Sequence, residues 1–335
     1  MTRATSPELE APDPVLEAEV RRRLDEVEKA LGDAVVSDVP LVSEAAGYLL
    51  SAGGKRFRPM LGVLAAQFGD PDDPRIVQGA VSVELTHMAT LYHDDVIDEA
   101  RSRRGIPSAN SRWDNTVAIL TGDFLFARAA AVASGLGQGV TRLLADTIAR
   151  VCEGQIREAD IAGRLDVDES GYMEVIRRKT ASLISTSCRL GGILSGASPG
   201  VAELLGRFGE ALGMAFQLSD DIMDLTADRQ TLGKEPGADL REGVYTLPVI
   251  FALQDGRLAA ELRSLLELGP PDDFRLPKVL ELLTSDGGNL DRSRDAVSRE
   301  VRLAKEEAAG LPSGTPRDAL VHLAEFLATR CGAAV

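Results

Sequence analysis

Two long proline-free stretches most constrain the fold of this 335-residue chain. No proline occurs from Ser108 to Ser198, nor again from Gly200 to Glu235. Along the chain, apolar residues recur at the three- and four-residue spacing of an amphipathic helix. The β-branched runs and period-two alternation that mark strands are scarce. Proline- and glycine-containing turn signals separate the helical segments. The sequence therefore predicts an all-α fold.

One large helical domain is predicted, because no Pro/Ser-rich linker divides the segments between turns. The chain is long enough for its helices to enclose a sizeable core. We predict that residues 14–335 form this single domain. The opening segment, residues 1–13, lacks the apolar run of a signal peptide and is predicted to be a disordered leader.

Composition argues against several classes of protein. A net charge of −15 argues against nucleic acid as a partner. The most apolar stretch, at 116–137, is interrupted by Asp123 and Arg128, so no membrane span is predicted. The three cysteines are scattered and form no CxxC pair, which argues against a disulfide framework or a structural zinc site. A reducing compartment fits, and we predict a cytoplasmic protein.

An acidic motif, D-D-x-x-D, occurs twice in the chain, as DDVID at 94–98 and DDIMD at 220–224. Each copy lies late in an apolar helical pattern. Helix positions i and i+4 share a face, so Asp94 and Asp98 project together, and like charges so placed disfavour the helix. A solvated helix end would explain one such motif, whereas two favour a bound cation. Oxygen ligands suit Mg²⁺, which proteins hold with few carboxylates plus substrate phosphates.

Two basic, glycine-containing segments flank the first acidic motif. GGKRFRP at 53–59 and RSRRG at 101–105 stand out against the acidic background. A basic turn is usually only solvated, but two beside an aspartate motif favour anion binding. Two aspartate motifs would repel a phosphate unless bound metal ions made the local charge positive. Acids, metal and arginines together would therefore hold a diphosphate.

From about residue 40 to 330 the chain resembles the trans-isoprenyl diphosphate synthases, the polyprenyl synthetase family. The resemblance is carried by several segments in the family's order: GGKRFRP, ELTHMATLYHDDVIDEARSRRG, AILTGDFLFARA, RRKTASLIS, AFQLSDDIMDL and GKEPGADLREGVYTLP. It implies an all-α bundle of the isoprenoid synthase type with a central active-site cavity, usually assembled as a homodimer. It also implies condensation of isopentenyl diphosphate, head to tail, with an allylic diphosphate, releasing pyrophosphate.

The resemblance assigns an expected role to each motif residue. Three Mg²⁺ ions per site are expected, bound directly by Asp94, Asp98 and Asp220. Outer acidic positions are Asp95, Asp221, Asp224, Asp239 and Glu158. The positions matching those that hold the allylic diphosphate are Arg103, Lys179, Thr180, Gln217 and Lys234. The positions matching those that hold isopentenyl diphosphate are Lys55, Arg58, His87 and Arg104. The six aspartates of the two motifs, with Lys179 and Lys234, are expected to carry catalysis.

Product length is predicted from the residues that precede Asp94. A growing tail would extend along this helix, past Thr90, Ala89 and Thr86. At about 1.5 Å per residue, Ala89 lies roughly 7–8 Å from Asp94 along the axis. None of the three is bulky, and in the family small residues here permit longer tails. We expect an all-trans product of about C30–C45, as used for quinone side chains, which can be delivered to membrane enzymes.

Three other functions are compatible with the same motifs. A geranylgeranyl diphosphate synthase, making a C20 product, is the nearest alternative. A class I terpene cyclase also uses Mg²⁺ and a DDxxD motif, but normally carries a different second motif. This chain instead repeats DDxxD and contains the GGKRFRP loop needed for a second diphosphate. A non-catalytic subunit of a heteromeric synthase generally loses an aspartate motif, and both are intact here.

Overall fold

The computed structural model describes residues 13–227, 236–285 and 287–335. The predicted leader lies outside the described residues except for Asp13, and Lys234 also lies outside them. Asp13 caps the first described helix, because its Oδ1 accepts a hydrogen bond from the backbone N–H of Val15 at 2.8 Å. Pro14 occupies the first helical turn, where its missing N–H costs nothing.

Almost all the regular secondary structure of the described residues is helical, which confirms the predicted all-α fold. The first half of the chain contains α1 Pro14–Ala34, α2 Pro40–Ser51, α3 Phe57–Ala65 with a 3₁₀ turn Ala66–Phe68, α4 Arg75–Ile97, α5 Ala109–Arg112, α6 Asn115–Ser134 and α7 Gln138–Ile161. The second half contains α8 Glu169–Ile176, a π-helical turn Arg177–Ala181, α9 Ser182–Leu194, α10 Pro199–Thr226, α11 Ala238–Arg241, α12 Leu247–Gln254, α13 Ala259–Leu266, α14 Leu276–Ser285, α15 Gly287–Ala309 and α16 Thr315–Arg330.

The RSRRG segment, predicted as a turn, forms a small antiparallel hairpin. Strand β1, Ser102–Arg103, pairs with strand β2, Ile106–Pro107. Arg104 and Gly105 make the two-residue turn with φ of 54° and 78°, the left-handed geometry that such hairpin turns require. The hairpin folds the arginines back towards the end of α4.

Two helices carry the acidic motifs, and α9 lies between them. Helix α4 packs against α3, α6 and α9, and α10 packs against α9, α15 and α16. The contact of α3 with α9 is close because both helices present a glycine there. A Cβ on Gly191 would lie 2.1 Å from the carbonyl oxygen of Gly62, so a larger residue would force the helices apart. Because α9 contacts both α4 and α10, it connects the two motif-bearing helices.

Helix α6 is the one described helix long and apolar enough to cross a membrane, with a mean hydropathy of 1.5. It nevertheless packs on α4, and a third of its most apolar window is buried. It also carries Asp123 and Arg128, and the Nε of Arg128 donates to the carbonyl oxygen of Ala34 at 2.6 Å. The core helix of a folded protein meets the same criterion, so the apolarity of α6 is weak evidence for a span.

Candidate active site

The first acidic motif lies at the end of α4. Asp98 caps this helix, and its N–H donates to the carbonyl oxygen of Asp94 at 2.8 Å, so the two residues remain one helical turn apart. Burial raises the pKa of Asp94 from 3.8 to about 6, although the nearby ammonium of Lys179 opposes the rise. Asp95 is buried and accepts a hydrogen bond from Arg103 Nε at 2.7 Å. Arg103, predicted to bind the allylic diphosphate, is paired with this carboxylate.

The second acidic motif lies near the end of α10. Asp221 is buried and accepts hydrogen bonds from the hydroxyl of Tyr172 and, at 2.9 Å, from Gln217 Nε2. Burial raises the pKa of Asp221 despite these two donors. The backbone N–H of Asp239 donates to Asp224 Oδ2 at 3.3 Å, which places Asp239 beside this motif. The sequence analysis singled out Asp95 and Asp221 as outer acidic positions, whereas Tyr172, which donates to Asp221, lies in no recognised motif.

Both motifs border one cleft. Asp98 represents the first motif in its lining and Asp221 the second. The other predicted site residues that line it are Glu158, Lys179, Thr180, Gln217 and Asp239. The acidic walls thus face a common space instead of projecting separately into solvent.

Lys179 and Thr180 stand on the π-helical turn between α8 and α9. The Lys179 ammonium pairs with the Glu158 carboxylate. Burial alone would lower the pKa of Lys179, but the charges of Glu158, Asp94 and Asp98 raise it. Lys179 is therefore a cation among three carboxylates. Thr180 Oγ1 donates to Gln217 Oε1 at 2.9 Å, and this bond links the turn to α10.

The predicted isopentenyl diphosphate residues form a separate basic cluster. Burial lowers the pKa of Arg58 and of Arg104, and the carboxylate of Glu84 opposes the shift in both. Arg104 Nη1 donates to the carbonyl oxygens of Leu49 and Gly53, which ties the hairpin to the GGKRFRP loop. Burial, followed by the surrounding arginine charges, puts the pKa of His87 well below 6.5. A neutral imidazole can donate and accept one hydrogen bond each. Lys55 is exposed at the rim.

The three predicted chain-length residues are more enclosed than the sequence indicated. Thr86 and Ala89 have no exposed surface. The hydroxyl of Thr86 donates to the carbonyl oxygen of Ser82, and that of Thr90 to His87, both at 2.8 Å. These bonds satisfy both hydroxyls within the helix itself.

Arg330, at the end of α16, was missed because no motif surrounds it. Its Nη2 donates to Asp220 Oδ1 at 2.6 Å and to the carbonyl oxygen of Phe216 at 3.1 Å. Its guanidinium lies 5.1 Å from the centre of the Phe216 ring, which stacks at 4.9 Å on Phe57 of the GGKRFRP motif. This stack connects the basic loop, the second acidic motif and the last helix.

The donor set fits Mg²⁺. The carboxylates of both motifs supply only hard oxygen ligands, and burial of Asp94 leaves a carboxylate that a cation would stabilise. Among the described residues, Asp95 Oδ2 is buried without a hydrogen-bond partner. No group of three or more acidic, His or Cys side chains in the described ranges is already gathered as a metal cage.

An all-α fold, with two aspartate motifs and a lysine on one cleft and a basic cluster beside it, defines a diphosphate-binding enzyme of the isoprenoid synthase type. The chain belongs to the polyprenyl synthetase family, whose model matches residues 39–283. It is a prenyltransferase, as the sequence predicted.

Three relatives bear on the function. The chain is 41% identical to nonaprenyl diphosphate synthase of Mycobacterium tuberculosis over 96% of each chain. It is 41% identical to component 2 of heptaprenyl diphosphate synthase from Geobacillus stearothermophilus, over 91% of this chain and 94% of the relative. A crystal structure of geranylgeranyl pyrophosphate synthase from Corynebacterium glutamicum, with calcium and isoprenyl diphosphate, superposes with a TM-score of 0.84 and 42% identity, covering 96% of this chain and 99% of the other.

Proposed function

We propose that this protein condenses isopentenyl diphosphate with an allylic diphosphate, head to tail and with Mg²⁺, to make an all-trans polyprenyl diphosphate. One observation carries the proposal. Both DDxxD motifs border a cleft that also contains Lys179, Thr180 and Gln217, while the cationic Arg58 and Arg104 form a second group around His87. Two diphosphates require two such subsites, and a terpene cyclase would need one.

Each subsite has a distinct task. Mg²⁺, three ions in the proposed complex, supplies positive charge that stabilises the departing pyrophosphate. The proposed ligands are Asp94, Asp98 and Asp220, and the calcium-containing structure of the relative supports a divalent-ion requirement. The ammonium of Lys179 stabilises the charge of the same leaving group, and Lys234 of the GKEPGAD motif is proposed to do the same. Bidentate guanidinium donors suit the second diphosphate, which is not cleaved.

We infer a product of about C30–C45. The nonaprenyl synthase relative and small residues at Thr86, Ala89 and Thr90 support this length. The C20 alternative keeps its support from the geranylgeranyl pyrophosphate synthase structure. Incubating the purified protein with Mg²⁺, labelled isopentenyl diphosphate and allylic primers of increasing length, followed by sizing of the products, separates the two. Failure to consume isopentenyl diphosphate with any primer would contradict the proposed function.

We further propose that the chain is active without a second type of subunit. Both aspartate motifs are intact, although the heptaprenyl relative is named as one component of its synthase. Condensation by the purified chain alone supports this assignment, and activity only after addition of a second protein would overturn it.

The proposed assembly is a homodimer in the cytoplasm. Helix α6 presents Ile119 and Leu120, 42% and 60% exposed, and Ile97 at the end of α4 is 54% exposed. A second copy covering this surface would bury apolar area that a single chain leaves in water. The cysteines form no disulfide among the described residues, which fits a reducing compartment.

A further inference from the structure

The three cations of the GGKRFRP motif have different surroundings. Lys55 is exposed, and Arg58 is partly buried. Among the described residues, Arg58 Nε is buried and has no hydrogen-bond partner, whereas the side chain as a whole is partly exposed. Arg56, between them, is only 6% exposed. The motif therefore contains two side chains available to an anion and one that the protein encloses.

Arg56 uses its donors within the protein. Its Nε donates to Glu28 Oε1 at 2.9 Å, and its Nη1 donates to Glu84 Oε1 at 3.1 Å. The Glu84 side chain is 3% exposed, whereas that of Glu28 is 45% exposed. A buried ion pair is screened much less than an exposed one, so Glu84 is the stronger constraint on Arg56.

Arg56 also has an unusual backbone. Its φ is 47°, in the left-handed region, directly before α3 begins at Phe57. Such a conformation costs energy in a residue other than glycine and persists where the surroundings hold it. The Arg56 side chain is held by Glu84 on α4, together with Glu28 and the carbonyl oxygen of Leu50, and of the two carboxylates only Glu84 is buried. The Arg56–Glu84 pair therefore fixes the path by which the loop enters α3, the helix that carries Arg58.

Glu84 is placed to align the two helices that form the basic cluster. It lies three residues before His87, so both side chains share a face of α4. Its carboxylate is also the charge that most opposes the lowered pKa of Arg58 and of Arg104. The repulsion among these cations is thus offset by one buried carboxylate.

We propose that the Arg56–Glu84 ion pair is a strut that positions the isopentenyl diphosphate subsite. The inference rests on the proposed function and deepens it. The strut sets Arg58, on α3, at a fixed distance from His87, on α4. Arg56 and Glu84 are positioning residues, and Arg58 and His87 are the residues that contact the diphosphate.

The test compares Michaelis constants in Glu84→Gln, Arg56→Gln and the double variant. Each single variant is expected to raise the KM for isopentenyl diphosphate about tenfold, leaving the KM for the allylic diphosphate unchanged and kcat within about twofold. The double variant should resemble either single variant, because each breaks the same strut. Glu28→Gln, which removes only the exposed partner, is the matched control and should leave both constants unchanged.

Three outcomes would overturn the proposed role of the ion pair. In the first, a single variant changes the KM for both substrates equally. In the second, it lowers the melting temperature but leaves the KM for isopentenyl diphosphate unchanged, and in the third the KM increases of the two single variants multiply in the double variant. If a single variant does not fold, Arg56→Leu with Glu84→Leu removes both charges together and is expected to fold. That variant must still show the selective rise in KM. Wild-type protein that does not consume isopentenyl diphosphate would contradict the proposed function itself, which separates the two failures.

Discussion

At the scale of the residue, the proposed reaction depends on the carboxylates of the two aspartate motifs. Asp94 and Asp220 belong to different helices, yet both are expected to bind the metal that draws charge onto the leaving diphosphate. Replacing either with Asn keeps its volume and removes one negative charge. We expect kcat to fall at least about 100-fold in Asp94→Asn and in Asp220→Asn, measured with saturating Mg²⁺. Asp146→Asn on α7, whose side chain is 64% exposed, should retain full activity. A kcat within threefold of wild type in either motif variant would contradict the assigned roles.

The raised pKa of Asp94 predicts how stability depends on pH in the metal-free protein. Its value is about 6 in the folded chain, against 3.8 ordinarily, so between these pH values the folded state binds more protons than the unfolded state. The free energy of unfolding should therefore fall as pH rises through this window, by up to about 3 kcal/mol from this residue. Denaturant unfolding of wild type and Asp94→Asn in chelator at several pH values isolates the effect. If the free energy of unfolding depends on pH in the same way in both proteins, Asp94 does not cause the effect.

Ala89 tests the predicted path of the product tail. Because it is fully buried on α4, a larger side chain must occupy space along that helix. We expect Ala89→Leu to shorten the product and Ala89→Phe to shorten it further, at a cost in stability of about 1–3 kcal/mol. Chromatographic sizing of the products gives the answer. Products of unchanged length in both folded variants would rule out this path.

The sequence revealed individual roles unevenly. The motif aspartates could be singled out because the DDxxD pattern occurs twice, whereas Lys179 and His87 were assigned only by resemblance to the family. Arg56 lay inside a predicted motif without a distinguishable role, since only its burial against Glu84 separates it from Arg58. Arg330 could not be found, because its contact with Asp220 joins positions 110 residues apart.

At the scale of the element, the π-helical turn is the feature that places Lys179 and Thr180 at the cleft. Helix α7 approaches this turn through Gly154, where a Cβ would lie 2.5 Å from the backbone N of Lys179. We expect Gly154→Ala to displace the turn, to destabilise the protein by about 1–3 kcal/mol and to raise the KM for the allylic diphosphate. Gly139→Ala on the same helix meets nothing within 4 Å and should be neutral or slightly stabilising. Equal behaviour of the two variants would contradict this account.

Long helices were predictable because their apolar spacing and caps are local. The π-helical turn was not predictable, because the sequence RRKTA is equally compatible with an α-helix. The turn packs closely against Gly154 of α7, a contact that the local sequence does not reveal. The hairpin at 102–107 was read as a turn for a similar reason, because each of its strands has only two residues.

At the scale of the whole molecule, the exposed face of α6 tests the proposed homodimer. Replacing Leu120, 60% exposed, with Glu would place a charge in the interface. We expect Leu120→Glu to lower the mass measured by light scattering to that of one chain. Leu303→Glu, on α15 and 48% exposed, should keep the wild-type mass. If both variants have the same mass, α6 does not form the dimer interface.

The all-α architecture followed from local patterns, but the arrangement of its helices did not. A common core runs through helices from α1 to α16, yet the distance between the two acidic motifs could not be read from local patterns. Their placement involves contacts between helices far apart in the chain, such as those of α9 with α4 and α10 and the close approach of Gly62 to Gly191.

The stacked rings of Phe57 and Phe216, with Arg330 above them, have a mechanical consequence. Phe57 begins α3, directly after the loop that carries Lys55, and Phe216 lies on the helix that bears Asp220. Because the two rings are in direct contact, we expect a displacement of one segment to be transmitted to the other. Binding at one subsite is then expected to change the affinity of the other.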